Sequence, residues 1–298
     1  MNRFTIALLG TALVMLVVLE LLTESKFDRM SKVQLHEVAQ RKALLEVRDN
    51  GDTGRPHIAI LGNSLLLDGV NVEMLTEQTS AEAVPAPYFV LATDYYDWYF
   101  GLKRLFAEGM RPRYILLGLS PNQLASTRTR GEYSAQYLFR GEDLFEVALK
   151  THMDATTASS FMLAHFSKYY STRQITRNYL LGKMLPSVSE LLHEKLGVFR
   201  DPPIPEDNLS ALSKTRLAEI SELCRENGAK FVLVVPPTYQ RGPETIFEAG
   251  KELGIPVLVP IPNGELDASS FQSDGMHLNE KGAVIFTQKL AADLRNVI

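Results

Sequence analysis

The sequence predicts an α/β protein: a three-layer α/β/α sandwich around a mainly parallel five-stranded sheet, with a helical insertion. Three observations carry this. Short apolar runs recur at 57–61, 88–92, 114–117, 231–235 and 257–260. Amphipathic stretches separate them, as crossovers between parallel strands require. The runs are apolar at nearly every position, which fits strands covered on both faces.

The N-terminus comes first. Phe4–Leu19 is sixteen uncharged, mostly apolar residues, and the run reaches Leu22 if Glu20 is tolerated near its end. A spanning helix takes about 20 residues. Arg3 and the terminal amine form a short positive flank, although Lys26, Arg29 and Lys32 follow the segment. No small-x-small cleavage site follows the run, so residues 1–23 read as an uncleaved signal anchor. A cleaved signal peptide and a buried N-terminal helix are the rival readings. Residues 24–55 read as a polar helical stalk ending in the turn-rich Asn50–Gly54. Residues 56–298 form the main domain.

In that domain His57–Leu61 is the first strand, closed by Gly62-Asn63-Ser64. Leu65–Gln78 reads as one helix, weakened at Gly69. Tyr88–Ala92 is the second strand, and Tyr95–Glu108 is an amphipathic helix stopped by Gly109. Tyr114–Leu117 is the third strand and leads into Gly118-Leu119-Ser120-Pro121-Asn122. Over 123–208 the alternation lapses into helical patterns at Asp143–Lys150, Thr157–Tyr169 and Thr172–Leu196, the last interrupted by Pro186. This insertion ends in the rigid Asp201–Pro205 linker. Alternation then resumes: a helix at Leu212–Asn227, a strand at Phe231–Val235, a helix at Glu244–Leu253, a short strand at Val257–Pro260 and a last helix at Asn279–Val297.

Composition bounds the function. With 45% hydrophobic and 22% charged residues the chain is an ordinary globular protein. A net charge of -4 gives no sign of a nucleic-acid partner. Cys224 is the sole cysteine, so no intrachain disulfide forms, and it reads as a small core residue.

Ligands of a parallel sheet bind beyond the carboxyl ends of its strands. Ser64, the Thr93-Asp94 turn and the Ser120–Asn122 turn all follow strand ends, and Asp274-Gly275-Met276-His277 precedes the last helix. Together they supply a hydroxyl, an imidazole and a carboxylate, the parts of an activated serine nucleophile. The other histidines, His36, His57, His152, His165 and His193, show no metal-ligand spacing, and neither metal nor cofactor is expected. The aromatic run Tyr95–Phe100 has helical spacing and reads mainly as core, with Tyr95 and Tyr96 near enough to the catalytic edge to stack on a sugar. Arg128, Arg130, Arg140, Arg173 and Arg177 form a solvated face or a surface for an anionic glycan or lipid head group.

On the blocks Ile60-Leu61-Gly62-Asn63-Ser64-Leu65 and Ser273-Asp274-Gly275-Met276-His277-Leu278-Asn279, the chain resembles the SGNH (GDSL-like) hydrolase superfamily. The resemblance covers residues 57–122 and 209–298 and implies a flavodoxin-like fold. It implies Ser64 as nucleophile, His277 as general base and Asp274 as the acid that orients it. Three departures stand out. Asn63 replaces the usual aspartate. The glycine amide of the family's oxyanion hole is replaced by Ala92-Thr93-Asp94, where the amide of Thr93 or Asp94 would serve. The family's Gly-x-Asn-Asp block reads Gly118-Leu119-Ser120-Pro121-Asn122, leaving the work to Ser120 or Asn122.

The resemblance implies a serine esterase or O-acyltransferase acting on acyl, chiefly acetyl, esters of an envelope or exported polysaccharide. It would be held in the cytoplasmic membrane by one helix, with its catalytic domain extracytoplasmic, periplasmic in a Gram-negative cell. Its partners would be the membrane and an acylated glycan or an acyl-donor protein. One alternative is a non-catalytic module of the same fold that binds glycan or scaffolds an envelope complex. Another is a cytoplasmic lipase-like enzyme whose first helix is buried.

Overall fold

The computed structural model describes residues 3–30, 32–48, 54–184 and 204–298. Five strands form one all-parallel sheet: β1 (His57–Gly62), β2 (Val84–Phe89), β3 (Tyr114–Gly118), β4 (Lys230–Val234) and β5 (Val257–Leu258). Their order is β2-β1-β3-β4-β5, the flavodoxin-like arrangement the sequence predicts. The helices are α1 (Arg3–Met30), α2 (Lys32–Glu46), α3 (Ser64–Gly69), α4 (Val72–Gln78), α5 (Tyr95–Ala107), α6 (Pro121–Ala125), α7 (Glu132–Tyr137), α8 (Leu144–Lys150), α9 (Ala155–Phe166), α10 (Lys168–Met184), α11 (Glu206–Glu226), α12 (Pro243–Leu253) and α13 (Glu280–Leu294).

Strand alternation sends successive side chains to opposite faces of the sheet. Ile58, Ile60, Leu116, Val232 and Val234 share one buried cluster with Leu66, Leu75 and Phe286, which come from α3, α4 and α13. On the other face lie α5, α11 and α12, whose Trp98, Leu102, Leu217, Ile220 and Ile246 are all buried. Cys224 is also buried there on α11, in the core position the sequence suggests, and burial pushes its thiol well above the usual range.

Two elements differ from the sequence reading for physical reasons. β2 covers Val84–Phe89 rather than 88–92, and so contains Pro85 and Pro87. It is an edge strand, where proline is tolerated. The amides of Val84 and Val90 bond Pro56 and Gly62 on the β1 side, so the proline nitrogens alternate to the open side. The Phe89 amide, also on that side, donates to Gln40 Oε1 at 2.9 Å. The expected helix at 65–78 is two helices, because Asn71 caps a fresh start, its side chain accepting from the Met74 amide at 3.0 Å.

The chain forms two units, Ala39–Arg130 with Val198–Ile298, and Met1–Val38 with Gly131–Gly197. The sheet belongs to the first. In the second, the described elements of the insertion are all helices, as expected. Arg3–Phe27 of α1 is long and apolar enough to cross a membrane. Glu20, the first charge after its apolar run, has a structural task. Its carboxylate accepts from Ser167 Oγ at 2.7 Å and from the Lys168 and Tyr169 amides at 2.6 and 3.1 Å, capping the N-terminus of α10.

Most described residues of the 24–55 segment are helical, yet they do not form a solvated stalk. Phe27 is buried and stacks on Tyr137 with centroids 5.2 Å apart. Gln34 and Glu37 are buried and both accept from the Tyr133 hydroxyl. Within the sheet-bearing unit, Gln40, Leu44 and Val47 are buried in turn. Most of the Asn50–Gly54 turn, the end of the Thr172–Leu196 helix and the first part of the Asp201–Pro205 linker lie outside the described residues.

Candidate active site

β1 lies between β2 and β3, so the chain leaves it to one side and returns on the other. The crevice beyond the carboxyl ends of β1 and β3 is the switch point where such sheets bind ligands. Gly62 and Gly118 end these two strands side by side. A Cβ at either would strike Leu66, at 2.8 Å from Gly62 and 2.3 Å from Gly118. Their bare backbones let α3 sit directly above the strand ends, and α3 begins at Ser64.

Asn63 fixes this turn. It is fully buried, its Oδ1 accepts from the Leu65 amide at 3.0 Å, and its Nδ2 donates to the Thr93 carbonyl at 3.0 Å. An ionised aspartate could make the first bond but not the second, because it has no donor. The asparagine therefore ties the turn after β1 to the turn after β2.

His277 arrives on a loop built for it. Phe271 and Leu278 form an antiparallel bridge at the loop's base. Asn279 caps α13 through the Gly282 amide and also donates to the carbonyls of Ser269 and Phe271. Asp274 Oδ1 accepts from the amides of Met276 and His277 at 2.8 and 3.0 Å, which bends the loop back on itself. Gly275 supplies the left-handed backbone, φ 68°, at the turn.

The two segments meet. His277 Nε2 lies 2.8 Å from Ser64 Oγ, and His277 Nδ1 lies 2.6 Å from Asp274 Oδ2. A proton on Nδ1 donated to Asp274 leaves Nε2 as acceptor for the serine hydroxyl. Burial pushes the Asp274 carboxyl upward, but bonds from the Met276 amide and from the ring and amide of His277 outweigh it. The net effect holds the group below the ordinary aspartate value. Ser64 and His277 are both half-buried, open to a ligand on one side.

The predicted oxyanion donors separate into two groups. Asp94 drops out, because its amide donates to Asp97 Oδ2 at 2.8 Å in a capping box at the start of α5. Ser120 drops out likewise: it is fully buried and caps α6, with its Oγ facing the Gln123 amide and its own amide on Gln123 Oε1. The Thr93 side chain is buried between the Val90 carbonyl and Trp98 Nε1, but its amide donates to no described residue. The Asn122 amide bonds Gln240 Oε1, and its half-buried side chain has no partner among the described residues. Two donors escape a sequence reading. The amide of Ser64 at the start of α3 is unpaired among the described residues, and so is that of exposed Ala92. Ala92 holds φ 55°, the left-handed backbone that favours glycine, and an alanine in the sequence gives no sign of that.

Tyr95 is a correction. It is fully buried, its hydroxyl donates to Glu219 Oε2 at 2.8 Å, and burial together with that carboxylate pushes its pKa far up. Tyr96 is half-buried between the Tyr95 ring and the Arg216 guanidinium, which stands 5.1 Å over it. Both tyrosines pack α5 against α11, so helical spacing decides in favour of core. Three of the five arginines are engaged as well: Arg140 bonds Asp143, Arg173 bonds Glu132, and Arg128 lies 3.8 Å from Asp94. A cleft of about 280 Å³ opens beside the His277 loop, lined by Tyr239, Pro262, Asn263, Leu266, Phe271 and Gly275.

No family model and no curated protein matches this chain.

Proposed function

We propose that this protein is a membrane-anchored serine esterase or O-acyltransferase of the SGNH type. The observation that carries the reading is the continuous chain Ser64 Oγ–His277 Nε2–Asp274 Oδ2, with links of 2.8 and 2.6 Å. These three groups come from opposite ends of the domain and meet at the sheet's switch point. Structural packing needs no such alignment of hydroxyl, imidazole and carboxylate.

The chemistry follows from the order of the groups. Ser64 Oγ attacks the carbonyl carbon of an ester while His277 Nε2 takes its proton. Asp274 holds the imidazole in the correct tautomer and stabilises its charged form. The oxygen of the tetrahedral intermediate is met by the amides of Ser64, Ala92 and Thr93, unpaired among the described residues, and by the Asn122 side chain. His277 returns the proton to the departing alcohol, leaving the acyl group on Ser64. Water then attacks the acyl-enzyme in an esterase, and a sugar hydroxyl does so in a transferase. In both cases His277 takes the proton of the attacker and Ser64 leaves as the restored hydroxyl.

The preferred substrates are acyl, chiefly acetyl, esters on an exported or envelope polysaccharide, with an acyl-donor protein as the partner of a transferase. Two features support this. The triad is open on one side with a cleft beside it, which suits a group attached to a polymer. An apolar N-terminal helix suits a single-pass anchor in the cytoplasmic membrane with the sheet-bearing unit outside the cell interior, periplasmic in a Gram-negative cell.

The deciding experiment uses the full chain in detergent. Wild type releases p-nitrophenol from p-nitrophenyl acetate and is labelled by a fluorophosphonate, whereas Ser64→Ala does neither. Folded wild type that takes no label defeats the reading, and label retained by Ser64→Ala removes that serine from the mechanism.

A further inference from the structure

The helical unit presents an apolar surface outside α1. Phe145 and Leu149 of α8 are 74% and 60% exposed, and Met162, Leu163 and Phe166 of α9 are 46%, 51% and 78% exposed. Residues three or four apart share one face of a helix. Phe145 with Leu149, and Met162 and Leu163 with Phe166, therefore form two short stripes, and α8 packs beside α9. A lone exposed leucine is ordinary, but five large apolar residues exposed on two adjoining helices mark a contact surface.

What covers it follows from its place along α1. Phe166 immediately precedes Ser167, whose hydroxyl donates to Glu20. Glu20 ends the uncharged run, so the end of α9 lies level with the end of the apolar segment. The other side of α9 faces α7 and the loop that follows it: His165 Nδ1 meets the Ala135 carbonyl of α7 at 2.7 Å, and Phe161 packs on Phe139 just after that helix. In turn α7 leans on residues farther along the chain, with Tyr137 on Phe27 and Tyr133 on Gln34 and Glu37. At 1.5 Å per residue, Phe27 lies about 10 Å beyond Glu20 along α1. α7 thus meets the chain farther from the apolar run than the end of α9 does, and Met162, Leu163 and Phe166 lie on the side of α9 that α7 leaves uncovered.

We propose that the α8–α9 face is a monotopic foot, seated in the boundary between head groups and acyl chains of the membrane that α1 crosses. Aromatic and aliphatic side chains on a short helix bind that boundary by burying apolar surface a few ångströms deep. The inference rests on the reading of α1 as a spanning helix. Spanning helix and foot together would hold the unit at two points and fix its orientation, because Glu20 clamps α10 to α1 between them.

The test places an environment-sensitive NBD label at Phe166→Cys or Leu149→Cys in full-length Cys224→Ser protein, reconstituted into phosphatidylcholine–phosphatidylglycerol vesicles. A label at exposed His36→Cys on α2 is the control. The foot predicts blue-shifted emission at 166 and 149 and its loss with lipids carrying a nitroxide at a shallow acyl position, with neither effect at 36. Water-like emission at 166 and 149 overturns the proposal. A blue shift that nitroxide lipids leave intact also overturns it, since a protein partner or a second copy would then cover the face. Carbonate extraction keeps the two readings apart: a chain that stays with the vesicles while its labels remain aqueous is anchored but has no foot. Release by carbonate removes the anchor itself.

Discussion

Gln272 Nε2 donates to Asp68 Oδ2 at 3.1 Å, fastening the loop that carries His277 to the helix that begins at Ser64. The same nitrogen donates to the Leu278 carbonyl at 3.1 Å, so one amide holds both the loop's own base and its neighbour. The Ser64–His277 distance depends on the registry of these two segments, and no strand pairing joins them directly.

Removing that fastening should act on turnover more than on binding. A misplacement of about 1 Å between reacting groups can cost on the order of 10²-fold in rate. Gln272→Ala is expected to lower kcat for p-nitrophenyl acetate by about tenfold or more with little change in KM, while fluorophosphonate labelling slows in parallel. Unchanged kcat would show that the loop holds its position without this bond.

Asp274 has two tasks, and Asp274→Asn separates them. Asparagine can still accept the amides of Met276 and His277, so the turn should persist. It cannot hold the Nδ1 proton as a carboxylate does, and kcat should fall by as much as about 10⁴. Acid stability follows from the same group. Its folded pKa lies below the unfolded value, so its contribution is complete above the unfolded value and is lost as pH falls through the folded one. Urea midpoints of wild type measured downward from neutrality should decline in that acid window, and Asp274→Asn should remove part of the slope.

Asn122, a proposed oxyanion donor, and its neighbour Ser120, a helix cap, offer a contrast. Asn122→Ala should lower kcat by about 10²–10³, the usual cost of losing one such donor. Ser120→Ala should instead cost about 0.5–2 kcal/mol in stability, because its hydroxyl caps α6. Its kcat should stay near wild type at temperatures where the protein is folded. Equal kcat losses in the two variants would mean that α6 acts only as a scaffold.

This contrast also marks what the sequence could convey. Four of the five strand positions and the Ser64, Asp274 and His277 placements are legible because apolar runs, turn residues and caps are local signals. β2 is displaced because Pro85 and Pro87 argue against a strand until the strand is known to lie at an edge. Ser120 and Asp94 look like free donors because their competitors, Gln123 and Asp97, lie three residues on and win them only once a helix forms. Tyr95 is misread for a longer-range reason: its hydroxyl partner, Glu219, belongs to a helix 124 residues away.

The last prediction concerns the two glycines that end β1 and β3. A Cβ at Gly118 would stand 2.3 Å from Leu66 Cδ1 and 2.4 Å from Leu66 Cγ, and Leu66 is fully buried. Gly118→Ala should therefore destabilise by about 1–3 kcal/mol, the usual cost of overpacking a core. Displacing Leu66 also displaces α3, which carries Ser64 two residues earlier, so kcat should fall even in the folded fraction. Leu66→Ala alone should cost about 2–5 kcal/mol by leaving a cavity. The added methyl and the lost isopropyl group occupy the same space, so the double variant should be more stable than the sum of the singles by about 0.5–3 kcal/mol. Urea denaturation of the four proteins measures that coupling. Additivity would mean that these glycines are not there to seat Leu66.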